Sequence, residues 1–288
     1  MHRYTEESTT SVPLAPGGRL EVESFNGSIE VTGRDGDGAE IRSKKYADSQ
    51  DALAKIEVEV THGPGWVRVK AHKPEGVRGN VGVAFVLMVP RQVALENIHS
   101  SNGSLHATNV VGPGHLKTTN GSVHVTDFEG DIDAGTSDGS IHVSNLRGAA
   151  LLQTSNGTVH ASGIRGAFQA STTNGTIKAE IVESPAAHAI VAKTSNGSID
   201  LALEALNADV LAKTTNGNVT LRLPEGIGAH LVAKTSNAGV SSDFEVSSGS
   251  RSKTHIEGTL GKGGPRIDVL SSNGPIRIVR TESVVAKF

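Results

Sequence analysis

One phrase constrains this chain more than any other: a Thr, then Ser or Thr, then Asn-Gly, then a short β-like run. It reads Thr118-Thr119-Asn120-Gly121, Thr136-Ser137-Asp138-Gly139, Thr154-Ser155-Asn156-Gly157 and Thr172-Thr173-Asn174-Gly175. It returns as Thr194-Ser195-Asn196-Gly197 and Thr214-Thr215-Asn216-Gly217, then degrades to Thr235-Ser236-Asn237-Ala238. From Asn102 to Asn174 the corner residue recurs every 18 residues, with Asp138 standing in once; the later intervals, ending at Asn273, are 22, 20, 21 and 36. A fixed period of this length is the signature of a stacked repeat architecture.

The residues flanking each corner keep a constant parity. Six, four and two places before it lie Ile132-Ala134-Thr136, Phe168-Ala170-Thr172, Ile190-Ala192-Thr194 and Val210-Ala212-Thr214. Three and five places after it lie Val123-Val125, Ile141-Val143, Ile199-Leu201 and Val219-Leu221. Alternate residues of a strand share a face, so these positions, the Thr column included, form the interior. The residues between them, such as Lys117, Lys193, Lys213, Ser122 and Ser140, face water. Each coil then carries two short strands meeting at Asn-Gly, with a second turn at Glu129-Gly130, Arg147-Gly148 or Arg165-Gly166. Gly is expected to supply a positive φ at the corner, and Asn to bond to the backbone or to the Asn one coil away. The expected fold is all-β: a β-solenoid of stacked coils about 4.8 Å apart. An antiparallel meander of Asn-Gly hairpins explains each turn but not the period.

Two regions follow from the pattern. Residues 1–95 read as a β-rich entry region capping the stack, and residues 96–288 as the solenoid with its own C-terminal cap. In the first, Arg19 to Val31 alternates around Asn26-Gly27, an early copy of the repeat. Ala47 to Lys55 reads as a short helix capped by Asp48 with Ala52, Leu53 and Ile56 buried. Strands follow at Ile56 to Thr61, Trp66 to Lys70 and Val81 to Val89. In the second, Pro275 stands where Ser or Thr is usual and, lacking a ladder donor, is expected at an edge.

Composition narrows the function. Aromatic residues make up 3% of the 288, Gly numbers 34, and the formal charge is −3. That balance gives no basic footprint for nucleic acid. Without cysteine, zinc-thiolate sites and cysteine nucleophiles are excluded. Met1 to Gly18 lacks the apolar core of a signal peptide, so an exported protein would have lost its leader before Met1. The longest apolar run, Val81 to Val89, is too short to span a membrane as a helix.

Among candidate sites, one column stands out. His106, His124, His142 and His160 each lie four places after the corner, so stacking makes them an outward ladder. Neutral imidazoles at that pitch are candidate ligands for a borderline metal such as Zn²⁺. The plainer reading, a surface residue inherited by duplicated repeats, is preferred: the column becomes Lys178, Asp200 and Thr220, and no carboxylate repeats with it. The ladder is kept as a candidate binding surface, without metal or other cofactor. The outward Ser and Thr residues form a polar face suited to glycan or ordered water. Asp127, Asp131, Asp133 and Asp138 cluster, but a glycosidase needs two carboxyls at a defined separation, and these read as turn residues.

The ordered set resembles a known family. Gly18-Arg-Leu-Glu-Val-Glu-Ser-Phe-Asn-Gly-Ser-Ile-Glu-Val-Thr-Gly33, Phe85-Val-Leu-Met-Val-Pro90, the Thr-Ser-Asn-Gly-Ser repeats and Ile256-Glu-Gly-Thr-Leu-Gly-Lys-Gly-Gly-Pro-Arg266 are similar to the bacterial putative-adhesin family of β-strand repeat domains of unknown function. The resemblance implies a β-solenoid and an extracytoplasmic or cell-envelope setting, with a cytoplasmic one as the alternative. It brings no catalytic residues. The expectation is a non-enzymatic surface or interaction module, an adhesin or a cell-envelope scaffold or stress-related protein, whose partner is a glycan, envelope component or protein. A polysaccharide-acting enzyme and a self-associating structural protein are the rivals; with Trp66 the single Trp, sugar platforms are scarce.

Overall fold

The structure, a computed structural model, describes residues 4–77 and 79–281. The chain is a β-solenoid and forms two compact units, one up to Arg147 and one from Gly148 onward. Each unit carries two sheets, and each coil gives one strand to each sheet. We name a coil by its corner residue.

In the first unit, the Asn120 coil places Gly114–Asn120 in one sheet and Val123–Glu129 in the other. The Asp138 coil follows with Ile132–Asp138 and Ile141–Arg147. Both pairings are parallel, with Thr118 opposite Thr136 and Val123 opposite Ile141. Parallel ladders at constant register dispose of the hairpin meander. The strand parity is as expected: Leu116, Val123, Val125, Ile132 and Ala134 are all at most 3% exposed. Phe85, Phe128 and Phe168 are among the largest buried side chains. Truncating one to Ala in so thin a core should cost about 3–5 kcal/mol.

The corners hold two kinds of side-chain ladder. Asn120 Nδ2 donates to Asn102 Oδ1 at 2.7 Å, and in the second unit Asn174 donates to Asn156, Asn196 to Asn174, and Asn216 to Asn196, each at 2.8 Å. Behind them the buried Thr hydroxyls donate to the corner Gly carbonyl of the adjoining coil. Thr118 reaches Gly103 O at 2.9 Å, Thr136 reaches Gly121 O at 2.8 Å, and Thr194 reaches Gly175 O at 3.0 Å. A buried carbonyl without a partner is costly, which accounts for a hydroxyl at this inward position.

Gly27 and Gly121 have the expected positive φ, but at the other corners the glycine is needed for a different reason. Gly103, Gly139, Gly175, Gly197 and Gly217 do not adopt one, but a Cβ on any of them would overlap the corner carbonyl of the adjoining coil. Close backbone approach, not handedness, excludes side chains there. Left-handed non-glycine residues lie before the second turn, at Asn109, Asp127 and Asn145, with φ of 58°, 52° and 56°. They form their own ladder, with Asn145 Nδ2 on Asp127 Oδ1 at 2.9 Å and Asn109 Nδ2 on Gly33 O at 2.8 Å.

Chain order and stacking order differ in both units. The Asn26 coil, Gly18–Ser24 and Ile29–Arg34, lies between the Asn102 coil and the pair Trp66–His72 and Gly82–Pro90. The edges beyond are antiparallel: Ala39–Ala47 and then Tyr4–Val12 in one sheet, Glu57–Gly63 in the other. In the second unit, the Asn273 coil, Arg266–Leu270 and Ile276–Arg280, lies between the Asn216 and Asn237 coils. The Asn ladder follows the same order, from Asn237 to Asn273 to Asn216. Antiparallel strands His255–Leu260 and Ser247–Arg251 then continue one sheet.

This placement overturns the edge reading of Pro275. Its carbonyl accepts from Val219 N at 3.0 Å, and the next amide, Ile276 N, donates to Gly239 O at 3.0 Å. The ladder uses the carbonyl of this position and not its N–H, so Pro costs no hydrogen bond inside the stack. The helix is also shorter than expected, Gln50–Ala54, and its cap is Ser49, whose side chain accepts from Ala52 N. Asp48 instead accepts from Asn80 N at 2.7 Å. Ala52, Leu53 and Ile56 are buried as expected.

Candidate functional site

The histidine column is real in the first unit. His106, His124 and His142 stand opposite one another in register on Leu105–Val111, Val123–Glu129 and Ile141–Arg147. Their rings stack face to face, with centroids 4.7 and 4.8 Å apart and planes within 3° of parallel. The backbone pitch sets the ring pitch, so the stack follows from the 18-residue period. His124, half-buried in the middle, has its pKa lowered from 6.5, first by partial burial and then by the charges of His106 and His142.

His160 belongs to the second unit, on Val159–Arg165, where its register neighbour is Lys178. Lys178 is followed by Asp200, Thr220 and Arg277. Asp200 is bound there by Arg222. One residue of the column escaped the sequence reading. Glu30 faces His106 in register and lies four places after Asn26, the position the histidines hold after their own corners.

Parallel rings do not converge on a point. Tetrahedral Zn²⁺ with N ligands at about 2.1 Å requires nitrogens roughly 3.4 Å apart and pointing inward. Among the described residues no group of three or more His, Asp or Glu side chains is arranged to hold a metal. The stack displays a strip of aromatic faces and ring nitrogens on the outer face of the sheet. Two of the clustered aspartates, Asp127 and Asp133, are engaged by neighbouring side chains. Asp127 accepts from Asn145 in the turn ladder, and Asp133, on a strand and not in the turn, meets Lys117 Nζ at 2.9 Å.

Three further concavities are shallow and lie on the sheet faces. One of about 230 Å³ is lined by Arg19, Trp66, Arg68 and Glu21, with Arg68 in two hydrogen bonds to Glu21 at 2.8 and 3.1 Å. A second, of about 380 Å³, lies against His160, Lys178, Glu180, Asp200 and Arg222. A third, of about 480 Å³, contains Lys193 and Lys213.

Fold and surface together define a class: parallel β-solenoids whose interior is aliphatic and whose chemistry is displayed outside in columns of aligned side chains. Within that class the chain belongs to the Toastrack DUF4097 family, whose pattern matches residues 16–279. Solved structures it is similar to include a putative cell adhesion protein from Clostridium sporogenes, at 12% identity over 96% of this chain and 100% of that one, TM-score 0.26. A putative adhesin from Parabacteroides distasonis is 10% identical over 95% and 97%, TM-score 0.38, and one from Bacteroides fragilis 12% over 96% and 97%, TM-score 0.27. Scores this low do not establish a shared arrangement of coils. No curated protein matches the chain.

Proposed function

We propose that this protein is a non-catalytic interaction module of the bacterial cell envelope, acting as an adhesin-like surface or as a scaffold in an envelope or stress-related assembly. One observation carries the reading: aligned outward side chains repeat at strand pitch, as the ring stack of His106, His124 and His142 does at 4.7 and 4.8 Å. A partner with its own repeat, such as a glycan chain, can engage successive rungs, and linked contacts gain avidity that no single one provides. The column of His106, His124 and His142 is part of this binding surface on the first unit, and His160 is a candidate contact on the second unit's own outer face.

The ends suit such a role. Antiparallel strands Tyr4–Val12 and Glu57–Gly63 at the sheet edges support a capping function for residues 1–95, and the strands Ser247–Arg251 and His255–Leu260 support one within residues 96–288. Covered edges discourage uncontrolled strand addition. The test is a binding screen of the purified chain against neutral and acidic glycans, peptidoglycan fragments and envelope proteins. Saturable binding to one class supports the reading. No binding across the whole screen, or turnover of a polysaccharide, overturns it.

A further inference from the structure

The cavity at Lys193 and Lys213 differs in its charge from the other two on the sheet faces. Lys193 and Lys213 are opposite one another in register on Ile190–Lys193 and Val210–Lys213. The same column continues through Leu270 to Lys234. All three lysines are exposed, and among the described residues none has an ion-pair partner. The acids of the same face are committed elsewhere: Asp268 to Arg266 Nε at 2.7 Å, and Glu257 to His255 at 3.1 Å. The equivalent lysine of the first unit, Lys117, has its own carboxylate in Asp133. The cavities at Arg68 and Arg222 are neutralised by Glu21 and Asp200. Like charges on residues paired in register repel, and an anion held by both would relieve that repulsion.

What surrounds the pair narrows the anion. Ser195 and Thr215 place exposed hydroxyls beside the lysines, and half-buried Leu211 and Leu270 form an apolar floor. Hydroxyls that donate and accept, an apolar patch for the C–H face of a ring, and cations for a carboxylate or sulfate are complementary to a sugar acid. The concavity lies open on a sheet face and does not enclose a ligand as small-molecule pockets do, which suits an extended polymer. The described residues with large exposed apolar side chains are Tyr4 and Val86, both in the first unit, so this face has nothing to insert into a lipid surface.

We infer that the outer face bearing Lys193, Lys213 and Lys234 is a binding site for an acidic polysaccharide, with Lys193 and Lys213 holding one anionic group and Lys234 a further one along the chain. This rests on the interaction-module reading and names its ligand class and site. The test measures affinity of the full chain for a polyuronate and a sulfated glycan, with neutral dextran and anionic phospholipid vesicles beside them. Binding to the acidic glycans should weaken at least tenfold in K193Q/K213Q and stay unchanged in K117Q. It should also weaken as salt rises from about 0.05 M to about 0.5 M, because exposed charges are then screened. K193R/K213R should retain it, which separates charge from any loss of fold. Acidic-glycan binding that K193Q/K213Q leaves intact, or binding to dextran or vesicles alone, overturns this inference while leaving an interaction module standing. Failure to bind anything in the wider screen overturns both.

Discussion

Replacing Gly197 discriminates between two explanations of the corner glycines. A Cβ built on Gly197 overlaps the carbonyl oxygen and carbon of Gly175 in the adjoining coil. Relief cannot come from a side-chain rotation, because the obstacle is backbone. Nor can the strands part easily, since Thr194 Oγ1 bonds to that same Gly175 O at 3.0 Å and Asn196 Nδ2 bonds to Asn174 at 2.8 Å. Overpacking a tight site costs about 1–3 kcal/mol, and breaking one or both of these hydrogen bonds adds about 1 kcal/mol each. Gly197→Ala should therefore lose roughly 2–5 kcal/mol. Gly197→Asn should be at least as harmful, although Asn tolerates a left-handed backbone.

Gly226 is the control. It has a φ of +73° and open space around its missing Cβ. There Gly→Ala should cost only about 1 kcal/mol, and Gly→Asn less, because Asn tolerates that region better. Urea unfolding read by circular dichroism measures all four variants, with the midpoint interpreted only where the slope is unchanged. If Gly197→Ala costs under 1 kcal/mol, or if Gly197→Asn is markedly milder than Gly197→Ala, steric exclusion between coils is the wrong account.

Three further outcomes follow from the same geometry. Thr194→Val keeps the shape but removes the donor to Gly175 O, and should lose about 1 kcal/mol; equal or greater stability in the same urea assay would contradict a structural role for the hydroxyl. The His124 ring should titrate below 6.5 by NMR, and its pKa should rise when His106 and His142 are changed to Asn. Because folded His124 binds its proton less readily than the unfolded chain, its contribution to stability is intact above 6.5 and falls as pH drops through the folded value; a stability curve that stays flat there, or rises on acidification, would refute the stack's influence. Ending the chain after Lys262 removes the coil that pairs with both Val210–Lys213 and Ala229–Lys234, so amides of 229–260 should lose hydrogen-exchange protection; unchanged protection would mean that those strands pair another way.

The coil was legible because its determinants are local. Strand parity around Asn120 or Asn196, the inward Thr and the outward His all follow from a period and an alternation, and each residue carries its own share of that signal. The stacking order was not legible. Intervals of 21 and 36 residues before and after Asn237 look like drift in one series, whereas they record that the Asn273 coil stacks ahead of the Asn237 coil. Nothing near Asn273 in sequence says which carbonyls its amides will meet, since its partners lie at Val219 and Val240. The glycine at the corner was legible as a requirement but not as a mechanism, because a turn and a close approach ask for the same residue. The turn ladder of Asn109, Asp127 and Asn145 had a signal at the 18-residue spacing, masked by its mixture of Asn and Asp. Glu30 shares the histidines' offset from the corner, but its coil precedes the 18-residue series in sequence, so the period does not point to it.

The displaced coils also bear on how the protein is made. A ribosome delivers the chain from its amino end, yet Gly18–Ser24 and Ile29–Arg34 have neighbours on both sides only after Leu105–Val111 has emerged. At the other end, Ala229–Lys234 acquires its parallel neighbour only with the arrival of Arg266–Leu270. The coils between Asn156 and Asn216 can stack as they appear, one on the last. The second unit is therefore completed by an inserted coil, and its outermost strands wait on residues synthesised after them.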